Sequence, residues 1–157
     1  MPKVYLETSF FSECCSIRAG DIARGRRATS LQWWKTEARR FELYISDEVL
    51  RELSSPDFPV SVRDPALAML QGLPVLPIST DALGLAELLV RERVMPQPAN
   101  SSDAIHLAMS LVYQIDYLLT WNQKHLANPN KRTHLVVISA RLGYLSPEVV
   151  TPDLLFL

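Results

Sequence analysis

The sequence predicts an α/β fold, in which a mostly parallel sheet of about five strands lies between two layers of helices. Short runs of bulky apolar residues alternate along the chain with longer segments in which apolar residues recur at helical spacing. This alternation is typical of parallel sheets that are covered on both faces. With 157 residues, of which 48% are hydrophobic and 21% charged, the chain is long enough to bury one core, and we expect a single domain over residues 1–157.

The chain opens with a strand and a long helix. Residues 3–6 are bulky and predict the first strand. Residues 24–41 predict a helix, since Leu31, Trp34 and other apolar residues recur at helical spacing. This spacing puts Trp34 on the buried face and leaves Trp33 exposed, together with the aromatic residues at positions 10 and 11.

The next segment adds two strands and three helices. Residues 43–45 predict the second strand, and Ser46 is a suitable N-cap for a helix through Leu53. Residues 62–70 predict a further helix in spite of Pro65, and residues 75–78 predict a third strand. An amphipathic helix then runs from Ser79 or Thr80, either of which could cap it, through Val94.

The last third of the chain begins with a predicted loop over residues 95–100. Ser101 or Ser102 caps the helix that contains Asp103, and residues 117–120 predict the fourth strand.

The tail is ambiguous. Leu135–Ile138 has the composition of a strand, yet we favour a helix from about residue 131, because Leu135, Ile138 and Leu142 share a helical face and Gly143 stands where a C-terminal cap would. Residues 149–150 predict a last strand, and residues 151–153 a helical turn.

Charge and cysteine usage narrow the classes of function. The formal net charge of −1 argues against binding nucleic acid through overall charge but leaves room for a local basic face. Arg24, Arg26 and Arg27 could form that face, and Trp33 could stack on a base or enter a partner's groove; a solvated helix surface explains the arginines equally well. No apolar stretch reaches the length of a signal peptide or a membrane span, and the two cysteines are adjacent, so we expect a cytoplasmic protein.

Polar residues follow the predicted strands at the edge where parallel sheets bind ligands. Glu7 follows the first strand, and Thr120-Trp121-Asn122 closes the fourth. Helices that begin at the same edge would add Glu52 and Asp103. Converging carboxylates repel one another unless a cation neutralises them, and hard ions such as Mg²⁺ or Mn²⁺ prefer oxygen ligands. The sequence therefore predicts a metal site suited to phosphoryl chemistry.

At these residues the sequence resembles the PIN-domain ribonucleases, and most of all the VapC-like toxins of toxin–antitoxin pairs. Tyr5-Leu6-Glu7-Thr8-Ser9 resembles the family's first-strand motif, and the spacing of 45–53 matches Glu52, rather than Glu48, to its second acidic residue. Asp103-Ala-Ile-His-Leu-Ala resembles the third acidic motif, and Leu118-Leu-Thr-Trp-Asn122 resembles the fourth.

The resemblance implies a Mg²⁺- or Mn²⁺-dependent endoribonuclease of three-layer α/β/α architecture, often a homodimer, which acts on RNA and is restrained by an antitoxin protein. It assigns the metal and the catalysis to Glu7, Glu52, Asp103 and Asn122. Thr8, Ser9 and Thr120 would orient these ligands or the scissile phosphate. Family members usually have Asp at position 7 and often at position 122, so we expect one firmly held ion.

Other interpretations remain open at this point. Glu48 and Glu52 could form a solvated helix face, Asp103 could only favour a helix N-terminus, and Asn122 could only cap the following turn. A degenerate PIN-like domain could bind RNA or protein without cleaving. A receiver-like signalling domain would need a strand-end phosphoacceptor Asp where Glu7 stands. His106 is expected to pack in the core rather than to face the site.

Overall fold

The computed structural model describes residues 1–98 and 101–157 and contains a five-stranded, all-parallel sheet. The predicted loop over 95–100 therefore lies partly outside the described residues. Described strands and helices follow one another along the chain as β1 (Lys3–Leu6), α1 (Thr8–Cys14), α2 (Asp21–Thr36), β2 (Glu42–Ser46), α3 (Asp47–Leu53), α4 (Val60–Leu70), β3 (Val75–Leu76), α5 (Thr80–Arg91), α6 (Ser102–Val112), β4 (Tyr117–Leu119), α7 (Arg132–Arg141) and β5 (Glu148–Val150). Short 3₁₀ turns occupy Ala38–Arg40, Pro129–Lys131 and Pro152–Leu154.

The strand order is β3-β2-β1-β4-β5, so the chain first builds outward from β1 in one direction and then returns to build in the other. Because crossovers between parallel strands are right-handed, this reversal puts α1–α4 on one face of the sheet and α5–α7 on the other. Contacts between α1 and α2, α1 and α4, and α5 and α6 agree with these two layers. The predicted α/β/α architecture is confirmed.

The helix caps form where the sequence predicts them. Ser46 Oγ accepts a hydrogen bond from the Glu48 N–H, Ser79 Oγ from Ala82, and Ser101 Oγ from Ala104. Each bond satisfies an N–H that has no partner inside its helix.

The tail is helical, as favoured from its periodicity. Leu135 and Ile138 are buried on α7, whereas Val136 and Val137 are 47% exposed, so only one face of the apolar run enters the core. Gly143 ends α7 with a positive φ of 89°, and the Tyr144 N–H donates to the Ser139 carbonyl.

Helix α1 was not predicted, and it changes the burial of three aromatic residues. Phe10, Phe11 and Trp33 are fully buried, which contradicts their predicted exposure. Phe10 lies 5.3 Å from Phe11 and 5.5 Å from Trp33, centroid to centroid, and the Trp33 indole donates to the Leu155 carbonyl. Trp33 therefore holds α1 and α2 together, and its proposed place on an RNA- or partner-binding rim is wrong.

The remaining differences lie at element ends. Helix α2 runs from Asp21 to Thr36 rather than over 24–41, α5 ends at Arg91 rather than 94, and β3 ends at Leu76 before Pro77. No helix among the described residues is both long and apolar enough to cross a membrane.

Candidate metal centre

The candidate site lies between β1 and β4, where the strand order reverses. In open α/β sheets this is where a crevice forms at the carboxyl ends of the strands. The Glu7 N–H donates to the Leu119 carbonyl and the Thr120 N–H to the Val150 carbonyl, so both residues continue the sheet past the strand ends. Glu7 and Thr120 are thereby held side by side.

Glu7 is the N-cap of α1, and its carboxylate is held through one oxygen. Oε2 accepts hydrogen bonds from the Ser9 N–H (3.0 Å), the Ser9 hydroxyl (2.5 Å) and the Thr120 hydroxyl (2.7 Å). Oε1 accepts no hydrogen bond from the described residues and lies 3.7 Å from His106 Nε2. The side chain is only 6% exposed, so the fold fixes a buried carboxylate and leaves one of its oxygens free.

Glu52, on α3, completes the acidic part of the site. Its Oε1 accepts a hydrogen bond from the Thr8 hydroxyl (2.7 Å) and lies 2.5 Å from His106 Nε2. Glu48, the alternative acidic residue, is turned away from this cluster: it pairs with Arg51 and accepts a bond from the Ser102 hydroxyl (2.9 Å). The structure thus brings Glu52, and not Glu48, to Glu7.

His106 is fully buried on α6 and faces the site, which the sequence did not predict. Its Nδ1 lies 2.6 Å from the Tyr5 hydroxyl, which in turn lies 2.6 Å from Ser46 Oγ. The one signal available in the sequence was spacing, since position 106 follows Asp103 by three residues and therefore shares its side of the helix.

Ionisation in the cluster follows from this packing. Burial raises the pKa of Glu52, but hydrogen bonds from His106 and Thr8 and the charge of His106 outweigh it and leave the pKa lowered. Burial lowers the pKa of His106, but its hydrogen bond to Glu52 and the charges of Glu7, Glu52 and Glu48 leave the pKa raised. The two shifts share one cause, because the carboxylate and the imidazole each stabilise the other's charged form across the Nε2–Oε1 contact.

The donor set fits one divalent cation. Glu7, Glu52 and His106 each offer a ligand atom, and these atoms all lie within 4.8 Å of one another. The second oxygen of Glu7 is the observation that favours a ligand here, because it accepts no hydrogen bond from the described residues and is therefore available to a cation.

Asp103 and Asn122 form a hydrogen-bonded pair at the same sheet edge. The Asn122 side-chain amide donates to Asp103 Oδ1 (3.0 Å), and the Asn122 N–H donates to Thr120 Oγ1 (3.0 Å). Asn122 Oδ1 accepts from the His125 N–H, so this residue also caps the following turn. Thr120 therefore links the Asp103–Asn122 pair to Glu7.

The predicted basic rim is only partly next to the site. Arg26 lies over the Trp121 ring, 5.2 Å from its centroid, and donates to the Gln123 side chain (3.0 Å). Trp121 lies next to the site because its backbone N–H donates to Ser9 Oγ (2.8 Å). Arg24 pairs with Asp21 on α2, and Arg27 donates to the carbonyl of Ser16 in the segment between α1 and α2, so both arginines make local contacts.

Comparison with known proteins identifies the fold. No protein-family model matches the sequence, and no curated protein matches it. Solved structures do match. VapC20 of Mycobacterium tuberculosis, a Sarcin-Ricin loop cleaving toxin, superposes with a TM-score of 0.57 at 18% identity over 90% of this chain and 96% of its own.

Two toxin–antitoxin structures agree with this match. A toxin–antitoxin complex from Klebsiella pneumoniae gives a TM-score of 0.60 at 19% identity over 95% of this chain and 97% of the other. VapBC2 of Rickettsia felis, bound to a DNA fragment from its promoter, gives 0.59 at 12% identity over 95% and 98%. The chain therefore has the fold of the VapC-like toxins, and the resemblance predicted from its motifs is confirmed at the level of the fold.

Proposed function

We propose that this chain is a divalent-metal-dependent endoribonuclease and the toxin of a prokaryotic toxin–antitoxin pair. The observation that carries the proposal is the convergence of Glu7, Glu52 and His106 at the reversal point of a toxin-like sheet, with a Glu7 oxygen left free. Under this proposal RNA is the substrate, Mg²⁺ or Mn²⁺ the cofactor, and a cognate antitoxin protein the restraining partner.

Each residue predicted for the metal and its supporting hydrogen bonds has a place in the proposed chemistry. Glu7 and Glu52 bind the ion, and Thr8, Ser9 and Thr120 fix these carboxylates through the hydrogen bonds described above. Asp103 and Asn122 are proposed as further ligands, direct or through water, whose position depends on their mutual hydrogen bond. A divalent ion supplies a water of lowered pKa and offsets the negative charge of the scissile phosphate.

Arg26 is the best placed of the arginines to bind the RNA backbone. It lies against Trp121, whose N–H is bonded to Ser9, so it stands at the rim of the proposed active site. Its guanidinium can pair with a phosphate in a bidentate manner. We propose Trp121, rather than the buried Trp33, as the aromatic surface on which a base stacks.

The experiment is cleavage of a mixed pool of structured RNA by the purified protein with Mg²⁺, with Mn²⁺ and with EDTA. VapC20 cleaves the Sarcin-Ricin loop, so an RNA with that loop belongs in the pool. Asp103→Asn should abolish cleavage without unfolding the protein. Asp81→Asn is the matched control, because Asp81 occupies the same second helical position of α5 but is exposed elsewhere on the molecule.

The outcomes are distinct. Metal-dependent cleavage that Asp103→Asn loses and Asp81→Asn retains would support the proposal. Cleavage by Asp103→Asn at the wild-type rate would contradict the proposed role of that residue, and cleavage that persists in EDTA would contradict the metal dependence.

A second candidate is a PIN-like domain that binds RNA or protein without cleaving. This candidate is favoured because two of the proposed ligand oxygens already have hydrogen-bond partners. Glu52 Oε1 is bonded to Thr8 and His106, and Asn122 Oδ1 accepts from the His125 N–H. Retarded RNA in a gel shift, with no products at any metal concentration, would support this candidate.

Assembly and location are part of the same proposal. We propose a homodimer in the cytoplasm, where Cys14 and Cys15 would stay free thiols. Light scattering of the purified chain, alone and after co-expression with its antitoxin, measures the assembly. A strictly monomeric chain would contradict the homodimer.

A further inference from the structure

We propose that His106 is a nitrogen ligand of the ion bound by Glu7 and Glu52, and that the site therefore selects Mn²⁺ over Mg²⁺. The inference deepens the proposed function, since it rests on a metal occupying this cluster. It departs from the sequence-based expectation, which placed only oxygen ligands at the site and put His106 in the core.

The position of the ring is the first argument. His106 is fully buried, but its Nε2 lies at the junction of the two carboxylates, 2.5 Å from Glu52 Oε1 and 3.7 Å from Glu7 Oε1. Glu7 Oε1 makes no hydrogen bond to the described residues. An ion that takes this free oxygen and a Glu52 oxygen thus meets the imidazole nitrogen in the same space.

The support behind the ring is the second argument. Metal-binding histidines usually use one ring nitrogen for the metal and hydrogen-bond the other, which fixes the tautomer and the orientation. Nδ1 has such a partner in the Tyr5 hydroxyl at 2.6 Å, and Tyr5 is itself fully buried and bonded to Ser46 Oγ. With Nδ1–H donating to Tyr5 and Tyr5 donating to Ser46, the proton in the Nε2–Glu52 contact is the one that an ion would displace, and the Nε2 lone pair would then point at the ion.

The choice of ion follows from the donors. Mg²⁺ dehydrates reluctantly and is held by carboxylates, phosphates and water, whereas imidazole binds first-row transition ions more readily. Two carboxylates with one imidazole therefore favour Mn²⁺ over Mg²⁺. Replacing the imidazole with an amide should reduce that preference while leaving the carboxylates in place.

The direct test is electron paramagnetic resonance of Mn²⁺ added to the purified full-length chain, with pulsed detection of nitrogen hyperfine coupling. The chain has three histidines, so the double variant His125→Gln/His134→Gln leaves His106 as the sole imidazole. We expect this protein to bind Mn²⁺ with a directly coordinated ¹⁴N signal, which changes to a ¹⁵N signal when the histidine is isotopically labelled.

The variant His106→Gln should lose the coupling, bind Mn²⁺ at least about tenfold more weakly, and need less Mg²⁺ to displace it. His134→Gln is the matched control, since His134 is exposed on α7 and bonds only the Glu92 carbonyl among the described residues. If His106→Gln fails to fold, the labelled double variant still decides the question.

Bound Mn²⁺ without nitrogen coupling in the double variant would overturn the inference, as would equal affinity of the wild-type protein for Mg²⁺ and Mn²⁺. Neither result touches the proposed nuclease, which RNA cleavage tests separately. If the wild-type protein shows the nitrogen coupling but does not cleave RNA, the proposed function is contradicted and His106 is still supported as a metal ligand.

Discussion

Tyr5→Phe removes one oxygen atom from the support of the candidate metal centre and leaves the ring in place. The Tyr5 hydroxyl is fully buried between His106 Nδ1 and Ser46 Oγ, at 2.6 Å from each. Burial also raises the pKa of Tyr5 well above its ordinary value, so the group is a neutral hydroxyl throughout the physiological range. The substitution therefore tests hydrogen bonding without a change of charge at position 5.

The expected cost follows from what the missing oxygen leaves behind. Ser46 Oγ keeps its bond from the Glu48 N–H, so most of the loss falls on His106, whose Nδ1 has no other partner among the described residues. A buried polar group left without a partner costs about 1–3 kcal/mol, and we expect a loss of about 2–3 kcal/mol in the free energy of unfolding. For a chain of this length that loss lowers the melting temperature by about 4–12 °C.

Thermal and urea unfolding in EDTA measure this cost, with Tyr113→Phe as the matched control. The Tyr113 hydroxyl donates to the Pro77 carbonyl at 2.7 Å, but at an exposed site. Water can replace it there, so Tyr113→Phe should cost about 1 kcal/mol or less. A Mn²⁺ titration of Tyr5→Phe should also show an affinity lower by about tenfold, because the group that orients His106 is gone.

The reasoning is refuted if Tyr5→Phe is as stable as the wild-type protein in EDTA. That result would mean that His106 Nδ1 and Ser46 Oγ find other partners at no cost, and that the buried network is not what holds the ring. A loss of stability with unchanged Mn²⁺ affinity would separate the two roles: the network would stabilise the fold without orienting a ligand.

Two further predictions test the core and the pH dependence of stability. Trp33→Ala should lower the free energy of unfolding by about 3–5 kcal/mol, because it empties a fully buried aromatic site. Trp121→Ala removes a partly exposed ring and should cost far less in the same urea titration. Equal costs for the two variants would contradict the burial of Trp33. Hydrogen bonds from the Leu157 N–H and the Thr36 hydroxyl, with the charge of Arg40, lower the pKa of Glu37. Because its pKa is lowered in the fold, ionised Glu37 stabilises the protein above the unfolded pKa of about 4.3, and this stabilisation is lost as the pH falls through the folded pKa. The loss of stability caused by Glu37→Gln at pH 7 should therefore disappear in acid. A loss of stability that does not depend on pH would argue against this carboxylate effect.

The fold class and the starts of several helices followed from the sequence because they depend on local signals. Alternating strands and helices predicted a parallel sheet, and polar residues after β1 and β4 marked the edge where that sheet reverses. Serine caps set the starts of α3, α5 and α6. Each signal lies within a few residues of the feature it predicts, so no knowledge of tertiary contacts was needed.

The register of α2 could not be predicted because its buried face is polar in part. The sequence pattern put Leu31 and Trp34 inside, yet Leu31 is 44% exposed and Trp33 is fully buried. Ser30 and Glu37 share the buried face because each has a distant partner: the Trp121 indole donates to Ser30, and the Leu157 N–H donates to Glu37. Periodicity assumes that polar residues face water, and here two of them are buried by tertiary hydrogen bonds.

Helix α1 was also not predicted because its start depends on tertiary hydrogen bonds, and these bonds involve a residue of the proposed metal site. Its N-cap is Glu7, an uncommon residue at that position, and the cap forms because Ser9 and Thr120 both donate to the same carboxylate oxygen. A carboxylate that only capped a helix could accept hydrogen bonds through both oxygens. In Glu7, Oε2 accepts the bonds from the helix and the sheet, whereas Oε1 faces His106. The residue that starts the unpredicted helix is therefore also the residue whose second oxygen is available to the proposed metal ion.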